Sequence, residues 1–315
     1  MTKEQWSLAT QLYRHNRLDF SAYESYVLGI SRRSNYPVRL FPIYYSSGQE
    51  RLSVITSRTF GSEGTHSVAW RCLIHGEEGV TGVAAAINLL PMIELCQLLG
   101  LEWAFIVAGN PQGARSGERY SRDHVSGVIP GNDDLVRFLV NGRWVADAVN
   151  KKFTGFRPIN PAIDRVAPEA VAMASLVNWW QEIGITKTLV GVLDLHADEM
   201  IRYGAYYYGY GAIWGKNVQR LFHQSFEKLT PMPARVVLSG AGDDGNGGDK
   251  IKINKHGLIS DAHDGGWASA MALAGVPLSI AVEIASKEGL GKFVNTFGYI
   301  AQAWLLTARS TIPPV

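Results

Sequence analysis

The chain alternates short, β-prone apolar runs with longer segments in which apolar residues recur at helical spacing. Over residues 3–30, Trp6, Leu8, Leu12 and Tyr13, then Phe20, Tyr23, Tyr26 and Val27, supply apolar faces for one or two helices. Residues 38–45 and 52–57 are β-prone and predict a strand pair joined by the turn Ser46-Ser47-Gly48-Gln49. A strand over 68–74, an Ala-rich helix over 82–99 and an apolar strand over 103–108 follow. Residues 135–150 and 169–183 fit helices, 189–195 a strand, 217–229 a helix and 235–238 a short strand. A helix over 266–274, a buried strand over 278–284 and a final helix over 293–309 complete the pattern. Residues 239–250 are Gly/Asp-rich and read as a loop; Asp243, Asp244 and Asp249 lack the ligand spacing of a calcium-binding loop. The aromatic run over 203–210 walls a pocket or simply packs. Strands alternating with helices predict an α/β fold: one domain over residues 1–315, opened by a helical segment over 1–35. Its sheet is a largely parallel, mixed and twisted one with helices on both faces.

Composition narrows the function more than the fold. A chain of 315 residues, 46% hydrophobic, can bury a large core, and no Pro- or Ser-rich linker divides it. A net charge of +2 with mixed signs carries no nucleic-acid or polybasic membrane signature. No apolar run is expected to reach the ~20 residues that span a bilayer. The start, Met1-Thr2-Lys3-Glu4-Gln5-Trp6, reads as a polar amphipathic segment rather than a signal peptide. Cys72 and Cys96 lie in apolar surroundings and read as free, buried thiols, which points to a reducing, cytoplasmic setting. The oligomeric state is not legible.

The chemistry concentrates at three strand ends. Ile74-His75-Gly76-Glu77-Glu78-Gly79 places a His and a Glu three apart in a Gly-flanked loop after a strand, where open α/β sheets keep their sites. Leu193-Asp194-Leu195-His196 delivers a second His at the end of another apolar run. Imidazole nitrogen and carboxylate oxygen suit zinc, and a catalytic zinc takes three protein ligands and leaves a position for water. Glu283 ends the apolar strand Val276-Pro277-Leu278-Ser279-Ile280-Ala281-Val282-Glu283-Ile284, an expensive place for a carboxylate unless it is paired or working. Beside an activated water it can act as a general base. Asp194, two residues before His196, is expected to point away along the strand and to touch the site only indirectly.

These motifs, in this order over about residues 67–305, resemble the zinc carboxypeptidase (M14) superfamily. Gly109-Asn110-Pro111-Gln112-Gly113 resembles its Asn-Pro-x-Gly turn. The Gly-rich first motif looks more like the bacterial carboxypeptidase-like members and the succinylglutamate desuccinylase and aspartoacylase branch than the digestive enzymes. The resemblance implies one Zn2+ held by His75, Glu78 and His196, with Glu283 as general base. It also implies an arginine that polarises the scissile carbonyl and grips a substrate carboxylate, for which Arg122 is preferred over Arg119, and Arg119 over Arg115. Two family features are missing. The Asn-Arg pair for a terminal carboxylate is replaced by Pro130-Gly131-Asn132-Asp133-Asp134, leaving Asn132 as the substrate-binding candidate. The Tyr expected about twenty residues before the base is absent, and His263 in that stretch is the catalytic candidate to donate to a leaving group in its place, or else an ordinary loop histidine. The expectation is a zinc hydrolase of peptide bonds, with a deacylase of N-acyl amino acids and a non-catalytic metal-binding protein as alternatives. Its partners are then a peptide or N-acyl amino acid, with neither nucleic acid nor membrane.

Overall fold

A computed structural model describes residues 1–46, 48–123, 127–128, 134–146, 148, 151–199, 204–209, 222, 258–260 and 265–312. The chain opens with α1 (Lys3–Leu12), whose first turn is closed by a capping box between Thr2 and Gln5. A short hairpin of β1 (Tyr13–Arg14) and β2 (Arg17–Leu18) leads to α2 (Phe20–Ser34), capped by the Asp19 side chain. Next come β3 (Val38–Tyr45), β4 (Gly48–Thr56), β5 (His66–Arg71), α3 (Gly79–Leu98), β6 (Leu101–Ile106) and α4 (Pro111–Ser116). The middle of the chain forms β7 (Arg122–Asp123), β8 (Gly127–Val128), β9 (Val136–Val140), β10 (Arg143–Val145), β11 (Phe156–Pro158), α5 (Pro168–Glu182) and β12 (Leu189–Asp198). The last elements are β13 (Ala205–Gly209), β14 (Leu258–Ser260), α6 (Trp267–Leu273), β15 (Leu278–Ala285) and α7 (Leu290–Ser310).

Eight strands form one sheet in the order β14-β13-β15-β12-β5-β6-β4-β3. The centre, β15-β12-β5-β6, is parallel, and antiparallel pairings flank it at β13–β15, β6–β4 and β4–β3. This is the mixed α/β arrangement expected. Strand period 2 sorts side chains between two apolar layers. Val68 and Trp70 of β5 and Leu193 and Leu195 of β12 join the layer of α1, α2, α3 and α7, with Tyr23, Val83 and Trp304. Ala69, Val192 and Ala281 face the other layer, with Trp180 and Met173 of α5 and Trp267 of α6. Arg71, Asp194, His196 and Glu283 share the parity of that second group, so all four rise on one side of the sheet toward the carboxyl ends of its central strands.

Several expectations need correction. The described residues of 135–150 form no helix: β9, β10 and β11 make a three-stranded antiparallel sheet, with β9 and β10 joined at Asn141-Gly142. Both turn residues have positive φ, 49° and 75°, the conformation that makes Asn-Gly a hairpin signal stronger than the apolar spacing around it. The aromatic run over 203–210 contains a strand, β13, which seats Tyr207 in one apolar layer and packs Tyr208 against the other. α3 is long and apolar enough to cross a bilayer, contrary to the expectation of no such run, and most of it is buried inside the protein. Cys72 and Cys96 are free and buried. The helix expected over 217–229 (apart from Phe222), the strand over 235–238 and the loop over 239–250 lie outside the described residues, as do Asn132 and His263.

Candidate metal centre

The loop after β5 is shaped by three local constraints. Leu73 adopts a left-handed backbone, φ 55°, which costs a non-glycine residue about 1–3 kcal/mol and turns the chain sharply off the strand end. The Leu73 amide donates to Thr81 Oγ1 (3.1 Å), and that hydroxyl donates to the Glu78 carbonyl (2.8 Å), closing the loop onto the first turn of α3. Gly76 is the third constraint, because a Cβ there would lie 2.1 Å from the Gly113 carbonyl carbon. The loop therefore lies directly on the segment that begins at Asn110. Asn110 itself caps α4, its Oδ1 accepting from the Gly113 amide at 2.8 Å.

His75, Glu78 and His196 converge, with one potential ligand atom from each within 4.8 Å of the others. His75 Nδ1 lies 2.7 Å from Glu78 Oε1, and His196 Nδ1 lies 3.7 Å from Glu78 Oε2. All three residues are buried. Glu78 Oε2 and His196 Nδ1 have no hydrogen-bond partner among the described residues, which is costly for buried polar atoms unless something else binds them. Glu78 is also the N-cap of α3 but makes no side-chain cap bond, because its carboxylate is turned to the histidines.

Electrostatics point the same way. Burial opposes a charge on Glu78, yet His75 and His196 pull its carboxyl below the usual range. Burial equally opposes a charge on His196, yet Glu283, Glu78 and Asp194 lift its pKa well above the ordinary value. Two histidines among three carboxylates call for positive charge, and a divalent cation supplies it better than a proton. The N, N, O donor set fits zinc.

Glu283 faces this centre. β12 and β15 are parallel with His196 in register with Glu283, so the two side chains leave the same face one strand apart. Burial pushes the Glu283 carboxyl up to about 8; Glu78 and Asp198 add to this, while His196 and Arg119 oppose it. A cation at the neighbouring site favours its carboxylate form.

Asp194 does not point away. Residues two apart share a strand face, and Asp194 Oδ2 stands 3.8 Å from His196 Nε2, on the ring edge opposite Glu78. Arg71 grips the Asp194 carboxylate with two bonds, 2.7 Å from Nε and 2.5 Å from Nη2, and lies over the Trp267 ring at 5.2 Å.

The arginines fall in a different order from the one expected. Arg122 is paired with Glu118 (2.6 Å) and its side chain is 64% exposed, so it does not enter the cleft. Arg115 is bound to Glu50 at 3.0 Å and stacked over Phe20, away from the centre. Arg119 donates to Glu77 (3.0 Å) and to the Tyr120 hydroxyl (3.1 Å), and its charge acts on both Glu78 and Glu283. The Tyr120 ring meets the His75 ring edge-on at 6.0 Å.

One titrating group nearby went unnoticed in the sequence. Glu169, in the first turn of α5, is 0% exposed, and burial pushes its carboxyl up to about 7. Such a group binds its proton more tightly folded than unfolded, so its contribution is full below about pH 4.5 and lost as pH rises to about 7. The wild type should lose about 3 kcal/mol of stability relative to Glu169→Gln across that window. Chemical denaturation of both proteins at a series of pH values checks this, and parallel curves would exclude a buried titrating carboxyl.

No protein-family model matches the chain, and no curated protein sequence matches it. Solved structures do. A Shewanella amazonensis protein provisionally named a metallopeptidase superimposes with TM-score 0.61 at 15% identity, covering 93% of this chain and 92% of that one. A metallo-carboxypeptidase from Burkholderia cenocepacia gives TM-score 0.58 at 11% identity, over 93% of this chain and 69% of that one. Thrombin-activatable fibrinolysis inhibitor gives 0.60 at 12% identity, over 97% and 80%. The chain has the metallocarboxypeptidase fold. At such identities the likeness establishes the fold alone.

Proposed function

We propose that this protein is a zinc-dependent hydrolase of amide bonds, a peptidase of the carboxypeptidase kind before a deacylase of N-acyl amino acids. The observation that supports it is the convergence of His75, Glu78 and His196 with Glu283 in register beside His196. A non-catalytic metal-binding protein has no use for that fourth carboxylate. His75, Glu78 and His196 would hold the zinc, which would supply Lewis acidity to the reaction.

Glu283 takes a proton from the attacking water and delivers it to the amide nitrogen as the C–N bond breaks. Arg119 donates to the carbonyl oxygen on which negative charge builds, or to a substrate carboxylate. Asp194 holds His196 from its far edge. Asn132-Asp133, where the resemblance would put an Asn-Arg pair, carries an aspartate in place of the arginine. An aspartate offers a substrate carboxylate no cation, which keeps the deacylase reading in view.

The test is metal analysis of the purified protein, then turnover of short peptides with free and blocked C-termini and of N-acyl amino acids. One tightly bound zinc and chelator-sensitive hydrolysis are expected, with free C-termini preferred. Arg119→Ala should lower kcat/KM by about 10²-fold, and Arg122→Ala by less than about threefold, the range of a lost surface charge. Zinc binding without turnover of any substrate in the panel returns the non-catalytic reading.

A further inference from the structure

The buried carboxyl of Glu169 plays no part in the chemistry above, yet it anchors a polar chain that ends at the metal loop. Tyr45 of β3 donates to Glu169 Oε1 at 2.7 Å, and Ser121 bonds to the same oxygen. The Ser121 hydroxyl also lies 3.1 Å from Asn110 Oδ1. Asn110 Nδ2 donates to the Arg119 carbonyl at 3.3 Å, and that carbonyl also receives the amide of Gly76, the residue after His75, at 3.3 Å. The links thus run from α5 through Ser121, Asn110 and Arg119 to Gly76. The last joint has no slack, because Gly76 already abuts the backbone of Gly113 and Glu118.

A fully buried carboxyl is costly, and an apolar residue of similar size usually stabilises such a layer better. Glu169 Oε2 has no partner among the described residues, so the group is not there for a complete set of bonds. What its one bonded oxygen does is hold Ser121.

We propose that Glu169 is a positioning residue: through Ser121 and Asn110 it fixes the 117–122 segment, placing Arg119 and the His75 loop where the cation is held. This deepens the metal-site reading and rests on it, but its first readout needs no metal.

The experiment compares full-length wild type, Glu169→Gln, Glu169→Leu and Ser121→Ala. Amide hydrogen exchange is measured in the metal-free proteins, and zinc affinity by chelator competition. Glu169→Leu and Ser121→Ala should speed exchange at Gly76, Gly113 and Gly117 by about tenfold or more, with the β5 and β12 amides unchanged. The same variants should bind zinc about 10–100-fold more weakly, as expected when an outer support of a ligand is removed. Glu169→Gln, whose amide can still accept from Tyr45 and donate to the Ser121 oxygen, leaving that hydroxyl's proton for Asn110, should stay within about threefold of wild type on both measures. A folded Glu169→Leu with unchanged exchange and unchanged zinc affinity overturns the proposal, as does a Gln variant as damaged as the Leu one. If Glu169→Leu does not fold, Ser121→Ala decides on the same criteria. A wild type that binds no zinc sinks the metal reading instead, and the exchange data alone then judge the positioning.

Discussion

Glu283→Gln should bind zinc as tightly as the wild type and hydrolyse its substrate on the order of 10²–10⁴-fold more slowly. Glu283 sits one strand away from His196 on the same face, close enough for its charge to act on that ring but outside the converging set of His75, Glu78 and His196. The amide keeps the shape of the side chain and cannot take a proton, so binding and chemistry separate cleanly. The measurement pairs zinc content with single-turnover rates, which exclude product release as the slow step. A variant that loses its zinc would place Glu283 among the ligands, and a variant with wild-type rates would remove it from the reaction.

The convergence of His75, Glu78 and His196 is legible in the sequence because the determinants are local. A His-x-x-Glu in a Gly-flanked loop after a strand, and a His at the end of another apolar run, can be placed without tertiary information. Glu283 was legible for a related reason, since a carboxylate ending an apolar strand contradicts its surroundings. The arginine was not. Arg115, Arg119 and Arg122 lie within eight residues, and their fates depend on which acid each one meets: Glu50, Glu77 and Glu118 respectively. Glu118 is a local i,i+4 partner of Arg122, but nothing local in the sequence announces Glu50 for Arg115 or Glu77 for Arg119. Asp194 touches the site only indirectly, as expected, but strand period alone places it beside His196 and not away from it. At Asn141-Gly142 turn chemistry prevails over the helical spacing of the apolar residues around it. Glu169 lies in a helix first turn, where an acid is unremarkable; only its burial against Tyr45 and Ser121 gives it a role.

The second large effect is expected at Arg71. Both members of the Arg71–Asp194 pair are almost completely buried, 1% and 3% exposed by side chain, and the two bonds between them are short. Burial opposes a charge on Asp194, and it is Arg71, helped by His196, that holds its carboxyl below the ordinary range. Arg71→Met leaves that carboxylate with no cation but the neighbouring imidazole, and breaking one side of a buried pair costs roughly 3–5 kcal/mol. In a chain of this size that is a fall in melting temperature of roughly 5–8 °C. Replacing both residues, Arg71→Met with Asp194→Leu, removes the stranded charge, and most of the lost stability should return. Zinc affinity should not return with it. His196 Nε2 then faces a leucine instead of a carboxylate, and the ring loses the group that orients it from the edge opposite Glu78. Thermal melts of the metal-free proteins and chelator competition on the same samples separate the two roles. If the double variant recovers both stability and zinc affinity, the buried pair serves packing alone. If it recovers stability but binds zinc about 10–100-fold more weakly, the ion pair beneath His196 is part of the metal centre.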